Sequence, residues 1–88
     1  MAKKKVRFSF TAPGNAQDVR LAGDFTNWEN KAIHMRGSKS GEWSAMVSVD
    51  EGEHQYKFWV DGNWYTDPKA DRQVYNSYGT ENSVKNIS

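Results

Sequence analysis

Glu53-His54-Gln55-Tyr56-Lys57-Phe58-Trp59-Val60-Asp61-Gly62-Asn63-Trp64-Tyr65-Thr66 reads as a β-hairpin, and the rest of the fold is read outward from it. Tyr56, Phe58 and Val60 alternate with Lys57 and Trp59, the period-two pattern of a strand with one buried face. Asp61-Gly62 is the strongest turn signal in the chain, because a type I′ turn needs positive φ at both central residues. With that turn, Val60 faces Asn63, Trp59 faces Trp64, Phe58 faces Tyr65 and Lys57 faces Thr66. Alternation gathers Tyr56, Phe58 and Tyr65 on the core face and Lys57, Trp59, Trp64 and Thr66 on the other. A slip of one residue would break both sets.

The same period continues on either side. Val6, Phe8 and Phe10 alternate with polar residues; so do Val19 and Leu21, and then Trp43, Ala45, Val47 and Val49. In the last run, Ser83 to Ile87, Val84 and Ile87 fall out of phase, so a bulge is expected there. Pro13-Gly14-Asn15 and Gly37 to Gly41 separate strands, and Asp50-Glu51-Gly52 is expected to close a hairpin between the third and fourth runs. Residues 67 to 82 read as a long ordered loop opened by Asp67-Pro68. No window offers a capped amphipathic helix. Short strands with turns at intervals of roughly ten residues predict an all-β antiparallel sandwich.

The 88 residues support one domain, residues 1–88, with a modest core between about residues 6 and 87. The net charge of +1 is too small for a field that would recruit nucleic acid or acidic lipid. The chain has no cysteine, which removes disulfides, thiol nucleophiles and cysteine metal sites and suits a cytoplasmic setting. Met1-Ala2-Lys3-Lys4-Lys5 is followed by alternation rather than by an apolar run, so it does not open a signal peptide and reads as a solvated end. No stretch approaches the roughly 20 apolar residues of a membrane span.

Two tryptophans are left over from this core. Trp28 ends the polar turn Thr26-Asn27-Trp28, and Trp64 follows the hairpin turn. Large aromatics on turns suit a flat partner that stacks on them. A pyranose ring is such a partner: its C–H face lies on an indole and its hydroxyl rim meets Lys, Asn and Thr. Trp43, in phase with Ala45 and Val47, belongs to the core. Catalysis reads poorly. A glycosidase needs two carboxylates flanking a cleft, whereas Asp24, Glu29, Glu51, Glu53, Asp61 and Glu81 all lie in turns. His34 and His54 lack metal-ligand spacing and are expected to be solvated or locally bonded.

Leu21-Ala22-Gly23-Asp24-Phe25-Thr26-Asn27-Trp28, Gly41-Glu42-Trp43, the run Glu51 to Trp64, Asp67-Pro68 and Tyr78-Gly79-Thr80-Glu81-Asn82 together resemble carbohydrate-binding module family 48. That family includes the glycogen-binding domain of the AMP-activated protein kinase beta subunit and the early-set domain of branching and debranching enzymes. The likeness runs from about Phe8 to Val84. It implies an immunoglobulin-like (early-set) β-sandwich whose ligand is an α-1,4-linked glucan: glycogen, starch or maltooligosaccharides. With the poor reading for catalysis, the expectation is a non-catalytic module without cofactor or metal. It implies that Trp28 and Trp64 cradle the glucan, that Lys57, Thr80 and Asn82 bond hydroxyls, and that Tyr78 closes the site where an aliphatic residue or Phe is usual. Trp59, where Phe is more common, is read with Asn27 as support. A glycogen-metabolising enzyme is an expected companion, and nucleic acid and membrane are not expected partners. The competing reading is a docking or regulatory domain of the same fold beside such an enzyme or a kinase, its aromatic face meeting protein.

Overall fold

A computed structural model describes residues 3–88; Met1 and Ala2 of the basic start lie outside the described residues. The strands are β1 (Lys3–Thr11), β2 (Val19–Gly23), β3 (Ile33–His34), β4 (Arg36–Gly37), β5 (Glu42–Asp50), β6 (Gly52–Val60), β7 (Asn63–Tyr65), β8 (Arg72–Tyr75) and β9 (Glu81–Ile87). They form two antiparallel sheets, one ordered β1-β5-β4 and the other β3-β2-β6-β9-β8 with β7 added to β6. The chain is thus an all-β sandwich. Among the described residues no helix is long and apolar enough to cross a membrane.

The alternation seen in the sequence builds the core. Phe8, Phe10, Val19, Leu21, Tyr56, Phe58 and Val60 are buried together, with Trp43, Ala45 and Val47 packed at their margin. Phe10 stacks on Phe58 across the sheets at 4.5 Å between centroids, and Phe8 meets Tyr56 edge-on at 5.0 Å. Burying each such ring stabilises the fold by about 1.5–3 kcal/mol. Tyr56 is fully buried, and its hydroxyl donates to Asp67 Oδ2 at 2.7 Å. Burial first, and then the Asp67 carboxylate, raises the phenol pKa far above its ordinary range, so it stays a donor.

The hairpin has the register read from the sequence: Val60 opposite Asn63, Trp59 opposite Trp64, Phe58 opposite Tyr65. Asp61 and Gly62 have φ of 46° and 95°, the two positive values that a type I′ turn requires. The ladder ends at Tyr65, one pair short of Lys57 and Thr66.

Three expectations are corrected. Asp50-Glu51-Gly52 is not a hairpin: β5 pairs with β1 and β4 while β6 pairs with β2, β7 and β9, so the chain steps between sheets there. Gly52, at φ 118°, supplies the left-handed conformation at this corner. Residues 67 to 82 are not all loop, because β8 lies inside them as an edge strand on β9, tied back to β6 by a two-pronged Arg72–Glu53 ion pair. The last strand has no bulge. Its register runs unbroken from Ser83 opposite Tyr56 to Ile87 opposite Gly52, and Val84 is buried on the reverse face, opposite Gln55 and Arg72. Lys3 to Lys5 are exposed, and they extend β1 against Ser48, Val49 and Asp50.

Candidate functional site

Trp28 owes its position to a strained turn. Asn27 and Trp28 both have φ of 56°, and for a bulky residue the left-handed region costs roughly 1–2 kcal/mol. Buried Thr26 holds the turn: its hydroxyl accepts from Gly23 N–H at 3.0 Å and lies 2.9 Å from the Trp28 carbonyl. Asp24 fastens the turn to β6. Its carboxylate accepts from Gln55 N–H at 3.0 Å and meets His54 Nδ1 at 2.9 Å, while its own N–H donates to the Gln55 carbonyl at 3.0 Å. His54 Nε2 donates to the Asp50 carbonyl at 2.7 Å. Burial alone would lower the His54 pKa, but these two acceptors outweigh it and the pKa is raised.

Trp64 stands on β7 directly after the turn and is 42% exposed. The turn is itself tied down, since the Asp61 carboxylate accepts from the N–H groups of Gln17 at 3.1 Å and Asp18 at 2.8 Å. Beside Trp64, Trp59 is half-buried with the Arg20 guanidinium 4.8 Å from its ring centroid. Arg20 is fixed by a two-pronged bond to Asp18, which depresses the Asp18 carboxyl pKa. In the sheet register Trp59 stands between Arg20 on β2 and Trp64 on β7.

The third part is the segment after β8. Asn76 Oδ1 accepts from the N–H groups of Tyr78 at 2.9 Å and Thr80 at 3.2 Å, and Asn76 Nδ2 donates to Thr80 Oγ1 at 2.7 Å and Asn82 Oδ1 at 3.0 Å. This closed knot holds up Tyr78, which is 89% exposed. Lys57 Nζ donates to Thr80 Oγ1 at 3.2 Å.

Trp28, Lys57, Trp64, Tyr78, Thr80 and Asn82, the six residues singled out in the sequence, line one open depression of about 1000 Å³ on the outer face of the larger sheet. Gln55, Thr66 and Asn76 line it too; Trp59 and Asn27 do not. Gln55 and Asn76 escaped the sequence reading because each is defined by partners far along the chain or within a loop knot, not by spacing. Among the described residues, no group of three or more His, Asp or Glu side chains is arranged to hold a metal ion.

Residues 5–88 match the family described as the glycogen recognition site of AMP-activated protein kinase. The chain belongs to this family. It is 37% identical over 75 residues to the cow (Bos taurus) 5'-AMP-activated protein kinase subunit beta-1, covering 85% of this chain and 26% of that one. It is 36% identical to the human subunit beta-1 over the same length and coverage, and 35% identical to the mouse (Mus musculus) subunit beta-2 over 71 residues, 81% of this chain and 25% of that one. The chain therefore spans about a quarter of the length of these curated relatives. In fold it superposes on the maltogenic amylase from S. marinus with a TM-score of 0.76 at 22% identity, covering 98% of this chain and 14% of the amylase. The architecture is that of an amylase early-set domain.

Proposed function

We propose that this chain is a single non-catalytic module that binds α-1,4-linked glucan, in the form of glycogen, starch or maltooligosaccharides. The observation that carries this reading is the convergence of Trp28 and Trp64 on one depression with Lys57, Thr80, Asn82 and Tyr78. The indoles are the stacking platforms, Lys57 and Thr80 serve hydroxyls, and Tyr78 closes the open side. Each stacked ring that buries about 60 Å² of apolar surface, at about 25 cal/mol per Å², contributes roughly 1.5 kcal/mol. Two platforms then give about 3 kcal/mol, a dissociation constant of several millimolar, so hydrogen bonds or a polymer presenting many sites must supply the rest. The matched relatives are subunits of a protein kinase, which supports a role in bringing glucan to an associated enzyme or kinase.

The test is a titration with maltoheptaose followed by tryptophan fluorescence, with glycogen retention of Trp64→Ala alongside. A saturable change in the wild type and lost retention in the variant are expected. No change at millimolar sugar, together with normal retention of Trp64→Ala, would sink the reading.

A further inference from the structure

We propose that Gln55 is a sugar-contacting donor of this site and that Asn82 aims it; this rests on the glucan reading above. The Asn82 side chain is only 5% exposed, and both ends of its amide are engaged: Oδ1 accepts from Asn76, and Nδ2 donates to Gln55 Oε1 at 3.1 Å. A primary amide has one acceptor oxygen and two N–H donors on the opposite arm. Fixing Oε1 therefore fixes which way the Gln55 –NH₂ points. Among the described residues that –NH₂ donates to no protein acceptor, and Gln55 is exposed and lines the depression. The backbone of Gln55 is clamped as well, its N–H and its carbonyl both bonded to Asp24.

Gln55 lies two residues from Lys57 on the same face of β6, about 6.5–7 Å away along the strand. The two donors thus address different hydroxyls of one glucan chain. A donor whose amide is already fixed through Oε1 loses less freedom on binding, which is where a hydrogen bond in an open site gains its worth. Asn82, nearly enclosed, sets the direction of that donor from below.

The test is a set of maltoheptaose titrations on Gln55→Glu, Gln55→Ala, Asn82→Asp and the double variant Asn82→Asp/Gln55→Ala, with Trp64→Ala as control. Gln55→Glu keeps the size and the acceptor that Asn82 needs but sets a charged acceptor where the outward donor was, so Gln55→Ala, which removes the amide altogether, carries the affinity test. Gln55→Ala should weaken binding about fivefold, the worth of one neutral hydrogen bond. Asn82→Asp still accepts from Asn76, but it sets an acceptor against Gln55 Oε1 and turns that amide over. It should weaken binding by a similar factor, and by less than twofold when Gln55 is already alanine. Thermal melting checks that each variant folds. In wild-type protein, the Gln55 side-chain amide resonances should shift on adding maltoheptaose, a measurement that needs no variant. If Gln55→Ala binds within twofold of wild type while Trp64→Ala loses binding, Gln55 is not a contact and the glucan reading stands. If Asn82→Asp costs the same with and without Gln55, Asn82 does not aim Gln55 and that part of the proposal is overturned. If wild type shows no response, both readings fall together.

Discussion

Asp24→Asn tests how the Trp28 turn is held, and it does so without any ligand. The Asp24 carboxylate takes two bonds, from Gln55 N–H and from His54, and the second is an ion pair when the imidazole is protonated. Hydrogen bonds to charged groups contribute about 1.5–3 kcal/mol against 0.5–1.5 for neutral ones. The Asp24 side chain is 42% exposed, so the low end applies, and the expected loss is about 1–2 kcal/mol near pH 6. For a domain of this size each kcal/mol moves the melting temperature by roughly 4–8 °C, so the drop should be roughly 5–15 °C. The pH dependence carries the mechanism. The folded His54 pKa is raised above the ordinary 6.5, so the folded state holds this proton more tightly than the unfolded chain does. The stabilisation is complete below about pH 6.5 and is lost as pH rises through the folded pKa. Thermal melts of both proteins by circular dichroism, from pH 5.5 to 9 at low salt, give the difference in melting temperature, in which unrelated titrations cancel. That difference should shrink as pH rises. Parallel curves, or a gap that widens toward pH 9, would refute the His54–Asp24 link.

Tyr56→Phe should destabilise by about 1.5–3 kcal/mol in thermal or urea melts, because it strips the hydroxyl donor from an Asp67 carboxylate that is 5% exposed. Gly23→Ala should destabilise by about 1–3 kcal/mol, since its Cβ would lie 2.7 Å from the Gln55 carbonyl and 2.7 Å from the Phe25 ring. Trp59→Ala should leave Trp64 mobile and reduce maltoheptaose affinity, whereas Trp59→Phe, which keeps a ring between Arg20 and Trp64, should bind within about twofold of wild type; the inverse order in a fluorescence titration would show that the indole itself touches sugar.

Much of the fold is legible where local chemistry and burial agree. The hairpin from Tyr56 to Tyr65 is the plainest case, for Asp61-Gly62 sets the register and the alternating aromatics set the face. β8 is not legible in the same way: Arg72-Gln73-Val74-Tyr75 is an edge strand with no fully buried side chain, so no period marks it. The corner at Glu51-Gly52 looks like a hairpin because turn residues report a change of direction and not which sheet comes next. Val84 misleads for a related reason, since both faces of β9 are covered and alternation no longer separates inside from outside. In the depression, the tryptophans stand out as aromatics that the core does not use. Gln55 stays hidden, because its partner Asn82 is 27 residues away and only the β6–β9 pairing brings them together.

The arrangement of polar groups bears on how so open a depression could hold a sugar. Two stacked rings contribute only about 3 kcal/mol on area, and mobile side chains would lose roughly 0.5–1.5 kcal/mol each on being ordered. Here the ordering is already done by the fold. Thr80 is bonded by both Asn76 and Lys57, Asn82 by Asn76 and to Gln55, and Gln55 to Asp24, the residue that also secures the Trp28 turn. The strain at Trp28 is likewise met on folding, through Thr26 and Asp24, before any ligand arrives. One network therefore runs from the exposed tyrosine at one rim to the strained tryptophan at the other. Loosening any member should act at a distance: in the proposed site, a break at Asp24 should loosen the Trp28 turn and, through the β6 backbone, the strand that carries Gln55 and Lys57. If the proposed glucan binding holds, the affinity of the site depends as much on the residues that pre-order it as on the two indoles.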